Sequence, residues 1–98
     1  MKFCLIIDNE FIKNVDDIIK YSNKLGDIKY KLVLGEYKNK DLNIDSVNRF
    51  NDSDLIYYLT KIYYEKPFLD GVILVSNNDF RIVSKLYLEN DKKFILIS

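Results

Sequence analysis

Short apolar runs alternate with segments of helical period along this chain, and that alternation limits the fold more than any other feature. Lys2–Ile7 is a continuous apolar run of strand length, closed by Asp8-Asn9-Glu10. Phe11, Val15, Ile18 and Leu25 then recur at helical spacing, with Ile12 and Ile19 widening the stripe and Gly26 as the expected stop. Ile28–Leu34 is a second strand. Gly35–Phe50 is the least regular stretch, where Leu42, Ile44 and Val47 are spaced for at most a short helix. Asn51-Asp52-Ser53-Asp54 has the composition of a helix start, and Leu55, Tyr58, Leu59 and Ile62 give the following helix an apolar face that ends before Pro67. Gly71–Val75 is a third strand. Ser76-Asn77-Asn78-Asp79 caps another helix, with Phe80, Val83 and Tyr87 on one side and Ile82 and Leu86 beside them. Phe94–Ile97 is the final strand.

Runs without polar alternation suit strands covered on both faces, and strands alternating with helices imply a parallel sheet. The fold class expected is therefore α/β: a three-layer, Rossmann-like parallel sheet of about four strands with flanking helices, in one domain over residues 1–98. In such sheets ligands bind outside the carboxyl ends of the strands. Asp8 ends the first strand, Asp79 follows the third, and Asp54 opens a helix that can start at the same edge.

Composition narrows the chemistry available there. The 98 residues include no His and one Cys, which removes a Ser-His-Asp triad, an imidazole metal ligand and a Cys-rich zinc site. Carboxylates remain. Three of them in one crevice repel unless compensated, and Mg²⁺ or Mn²⁺ is the expected compensation at Asp8, Asp54 and Asp79. A metal so held can deliver an attacking water and neutralise charge developing on a phosphate. Each acid also has a plainer reading: Asp8 as a turn or cap, Asp54 as a cap, Asp79 as a first-turn acid favoured by the helix dipole. Asn51, three residues before Asp54, lines the same face or, taken alone, is a helix cap. Ser76 and Asn77 are placed to orient a phosphate or a water, or with Asn78 they form a plain tight turn. Lys13, Lys38, Lys40, Arg49 and Arg81 are near enough to reach phosphate, or belong to the solvated surface. Tyr57, Tyr58, Tyr63 and Tyr64 share one helix, as amphipathic core edge or as a stacking or dimer surface.

Lys+Arg and Asp+Glu each number 15, so no global basic charge draws the chain to nucleic acid. The run Phe3–Ile7 is short for a signal peptide, and no stretch approaches the roughly 18–20 apolar residues of a membrane span. A cytoplasmic protein without membrane contact is expected, its single Cys4 reduced.

In sequence order these segments resemble an NYN domain of the PIN-like nucleases. Leu5-Ile6-Ile7-Asp8-Asn9-Glu10 resembles the opening strand with its Asp and Glu. Lys24–Ile28 and Leu34-Gly35-Glu36-Tyr37 resemble the first helix end and the Gly-acid-aromatic turn. Asn51-Asp52-Ser53-Asp54-Leu55 resembles the Asn-x-x-Asp helix start, and Val75-Ser76-Asn77-Asn78-Asp79-Phe80 the Ser-rich motif after the next strand. Asn77 stands where the family has an Asp, and Phe11 where it commonly has an Asn. The middle is short, so a strand usual there is expected to be missing, and no helix follows the last strand.

The resemblance implies a metal-dependent ribonuclease hydrolysing RNA phosphodiester bonds, with Asp8, Asp54 and Asp79 as metal-binding carboxylates. The alternative is a catalytically inactive relative acting in RNA binding or as an oligomeric scaffold. A phosphoacceptor receiver domain is a third class, disfavoured because Asp54 leads into a helix rather than ending a central strand. Expected partners are RNA and either a second copy of the chain, through open sheet edges, or a protein that completes the fold.

Overall fold

The computed structural model describes residues 1–38, 43–78 and 81–98, the side chains of Arg81 and Ile82 excepted. The chain runs β1 (Lys2–Ile7), a 3-10 segment (Asn9–Asn14), α1 (Val15–Asn23), β2 (Asp27–Leu34), β3 (Ile44–Val47), α2 (Asp52–Glu65), β4 (Gly71–Val75), α3 (Arg81–Leu88) and β5 (Lys93–Ile97). All five strands join one parallel sheet in the order β3-β2-β1-β4-β5. This is the expected three-layer α/β architecture, with one more strand than the sequence suggested.

Side chains alternate across a strand, so each run splits between two faces. Cys4, Ile6, Leu32, Leu34, Val72 and Leu74 pack beneath Leu55, Leu59 and Ile62 of α2 and Val83 and Tyr87 of α3. Phe3, Leu5, Ile7, Val33, Ile73 and Val75 face Val15 of α1, with Phe11, Ile12, Ile18 and Ile19 alongside. β4 is buried throughout and β1 from Phe3 onward, which is why both read as unbroken apolar runs. Tyr87 ties α3 to α2 by donating its hydroxyl hydrogen to the Leu59 carbonyl at 2.5 Å. Burial pushes that hydroxyl's pKa up, so it stays a donor. On α2, Tyr58 and Tyr63 are half-buried and Tyr57 and Tyr64 exposed. No helix among the described residues is long and apolar enough to cross a membrane.

From β1 the chain moves left to β2 through α1 on one face. From β3 through α2 to β4, and through α3 to β5, it moves right on the other face. Leftward movement on one face and rightward movement on the other give the three helical crossovers the same hand, as parallel sheets require. The direction reverses between β1 and β4. Their carboxyl ends are thus the topological switch point, where a crevice forms.

Three local expectations are corrected. The strand thought missing is β3, paired with β2 from Lys31↔Ile44 to Leu34↔Val47. Ile44 and Val47 are half-buried while Asp45 and Ser46 are exposed, a pattern too short to display a period of two. The helix expected from Phe11 opens instead as a 3-10 segment, and α-helix begins only at Val15. Over six residues the two helical periods are not distinguishable in an apolar pattern. Gly26 is not the helix stop: α1 ends at Asn23, and Gly26 lacks the positive φ of a left-handed cap. A Cβ there would lie 2.7 Å from the Phe3 ring, so Gly26 gives way to that side chain.

Candidate functional site

Asp8 follows β1 immediately, and its main-chain N–H donates to the Val75 carbonyl at the end of β4. The side chain is fully buried. A buried carboxylate must find its hydrogen bonds within the protein. Asp8 Oδ1 accepts from its neighbour Asn9 N at 2.8 Å and from Arg49 Nε at 2.6 Å. Oδ2 accepts from Ser76 Oγ at 2.8 Å, Asn78 Nδ2 at 3.3 Å and Arg49 Nη2 at 3.5 Å. A carboxylate offers about four acceptor positions, so these partners fill it.

Arg49 reaches the crevice from the segment between β3 and α2. Its Nη2 also donates to Asp52 Oδ1 at 2.6 Å, in the first turn of α2. The guanidinium therefore lies between two carboxylates, and Asp52 first, then Asp8, hold its pKa above the usual value. Ser76 is fixed in turn by its main-chain N–H, which donates to the Ile97 carbonyl, and its hydroxyl accepts from Asn78 N at 3.2 Å. Across the mouth, Glu10 Oε1 accepts from Asn77 N at 2.7 Å. Three elements are thus stitched together at the switch point: the end of β1, the turn after β4 and the approach to α2.

Asp54 belongs to a different hydrogen-bond system. Its Oδ2 accepts from Phe50 N at 2.6 Å and Asn51 N at 3.0 Å, while Asn51 Oδ1 accepts from Ser53 N at 2.9 Å. This reciprocal arrangement is a capping box, in which two side chains satisfy main-chain donors that a helix start leaves free. The Asn51 and Phe50 N–H groups hold the Asp54 carboxyl below the usual carboxylate range. A depressed folded-state pKa adds stability that is present above the unfolded value and is lost as pH falls through the folded one. The stability advantage of wild type over Asp54→Asn should therefore shrink as pH drops below about 4, followed by urea unfolding at stepped pH. A constant gap from neutral to acid pH would contradict that role.

The expected site residues therefore separate. Asp8 and Ser76 meet in the crevice, Asn77 borders it through its main-chain N–H, and Asn51 and Asp54 form the cap of α2. Asp79 lies outside the described residues, as does the side chain of Arg81. Among the described residues, no group of three His, Cys, Asp or Glu side chains is placed to hold a metal ion. This overturns the expected Mg²⁺ or Mn²⁺ cofactor and, with it, the metal-dependent ribonuclease. The physical reason is that Asp8 and Asp54 do not share a ligand. The positive charge that Asp8 needs comes from Arg49.

Arg49 and Asn78 are the residues whose role the motifs did not reveal. One local signal existed: Arg49 lies two residues before the Asn51 cap, with Asp52 three residues on. The second half, the Arg49–Asp8 contact, spans 41 positions and has no sequence signature. The chain matches no family model, no curated protein and no solved structure.

Proposed function

We propose that this chain is a non-catalytic α/β module, built on a plan resembling the NYN domains, that works as an oligomeric scaffold. The observation that carries the reading is Asp8. The carboxylate placed to do chemistry at the switch point has its acceptor positions filled by Arg49, Ser76, Asn78 and Asn9. Such a crevice locks three elements together instead of receiving a reactant.

The helix cover of the sheet supports assembly. Five strands at about 4.8 Å spacing span about 19 Å between the outer two, whereas one helix covers about 10 Å. On its face of the sheet α1 is the only α-helix among the described residues. Beside it lies a largely apolar hollow of about 360 Å³ lined by Phe11, Ile18, Tyr21, Val75 and Ile97, together with Asn14 and Asp17. This hollow leaves apolar side chains beside α1 open to a partner.

One observation favours RNA binding as a second reading. Phe50, beside Arg49, is 81% exposed, and an exposed ring can stack on an unpaired base. The exposed carboxylates of Asp52, beside Arg49, and of Glu10, across the crevice mouth, oppose phosphate, which ranks this reading lower. The test combines light scattering across a concentration series with incubation on single-stranded RNA in Mn²⁺ and in EDTA. The expected result is concentration-dependent self-association and intact RNA in both buffers. A monomer at every concentration overturns the scaffold reading; Mn²⁺-dependent cleavage overturns the non-catalytic one.

A further inference from the structure

We propose that two copies of this chain join by antiparallel pairing of β5 with β5 about a twofold axis at Ile95, forming one continuous ten-stranded sheet. The inference rests on the scaffold reading and names its partner and its register.

Among the described residues β5 is an edge strand, hydrogen-bonded on one side only, to β4. The direction of its main-chain groups follows from two bonds. Lys93 N donates to the Asp70 carbonyl at 2.9 Å, and the Ile97 carbonyl accepts from Ser76 N at 3.0 Å. Lys93 and Ile97 thus turn their main-chain groups toward β4, as Ile95 between them must in a regular ladder. Phe94 and Leu96 turn theirs outward. In an antiparallel pair centred on Ile95, Phe94 lies opposite the partner's Leu96, and Leu96 opposite the partner's Phe94. Both are positions where paired residues exchange two hydrogen bonds, so four form. Ile95 meets the partner's Ile95 at the closer, non-bonded position. This register alternates bonded and non-bonded pairs as an antiparallel ladder demands.

The side chains agree with that register. Phe94 is half-buried with its ring 5.7 Å from that of Tyr87, while Leu96, on the same face, is 47% exposed. Pairing sets each Leu96 against the partner's Phe94, an aromatic–aliphatic cross-strand pair. On the α1 face, Lys93 comes opposite the partner's Ile97. Ile97 and Asp17 line the same apolar hollow. Neither Lys93 nor Asp17 has an ion-pair partner among the described residues. The partner's Lys93 can therefore lay its aliphatic stem over Ile97 and bring its ammonium toward Asp17, twice by symmetry. The opposite edge is less suited to self-pairing. β3 has four residues and carries Asp45 and Ser46 exposed, the kind of polar, short edge that resists pairing. Inside β5, Phe94 to Ile97 carry no charge and no proline.

The experiment is sedimentation equilibrium on the full chain, with far-UV circular dichroism to confirm folding. Wild type should dimerise in the micromolar range, as suits a small interface. Leu96→Lys should raise the dissociation constant at least about tenfold, because two apolar cross-strand pairs are lost and two charges enter the joint. Lys93→Asp and Asp17→Lys, both at exposed positions, should each weaken the dimer, and the double swap should restore it. These two decide the matter even if Leu96→Lys does not fold. A dimer indifferent to the charge swaps and to Leu96→Lys overturns the β5 joint while leaving the scaffold reading standing. A monomer throughout overturns both.

Discussion

Arg49→Met should lower the unfolding free energy by about 3–5 kcal/mol, the range seen when one partner of a buried ion pair is removed. Arg49 supplies the only cationic donor to a fully buried Asp8 among the described residues, through Nε at 2.6 Å and Nη2 at 3.5 Å. Asn9, Ser76 and Asn78 would remain, but they are neutral donors and leave a net charge in the interior. A domain of this size has about 5–15 kcal/mol of stability, so the loss removes a large share of it. Arg49→Lys should recover part of the loss. An ammonium carries the charge but lacks the fork that spans Asp8 and Asp52 together. The double variant Asp8→Asn/Arg49→Met should be more stable than Arg49→Met alone, because the amide has no charge to strand. Urea unfolding of wild type, Asp8→Asn, Arg49→Met and the double variant gives the coupling directly. A loss below about 1 kcal/mol in Arg49→Met would sink the idea that this pair locks the switch point.

Leu74→Ala should cost about 2–5 kcal/mol, with Ile56→Ala on the exposed face of α2 costing less than about 0.5 kcal/mol. Leu74 is fully buried in β4, which is hydrogen-bonded to β1 on one side and β5 on the other. Its side chain enters the layer under α2 and α3. A strand held on both sides cannot shift to fill the space a truncation leaves, so cavity and transfer terms add. Ile56 is 40% exposed, and its truncation leaves little cavity. Equal midpoints for the two variants in denaturant would contradict this division of the core.

The elements differ in how plainly they could be read, and the differences have causes. β1 and β4 were legible because both faces are covered, which requires apolar residues at successive positions. The start of α2 was legible because caps are local: Asn51, Ser53 and Asp54 act within four residues of one another. The role of Asp54 was not. An acid at a helix start satisfies both a ligand pattern and a cap pattern, and only the positions of Phe50 N and Asn51 N choose between them. β3 was missed because its identity as a strand comes from its neighbour β2, not from its own four residues.

The sequence by itself determined the α/β class, the parallel sense of the sheet and the edge at which Asp8 and Ser76 would meet. Those follow from hydrophobic period, strand-length runs and the preferred hand of crossovers, all of which act over short stretches of chain. What balances Asp8 was decided only by the tertiary structure. The need for a positive charge beside a buried carboxylate is general, but a metal ion and a guanidinium meet it equally well. The choice depends on whether a distant cation is carried to the site, and the fold carries Arg49 there from 41 positions away. A crevice that the acids alone marked for metal chemistry is, in the folded chain, an ion-paired joint between β1, β4 and α2.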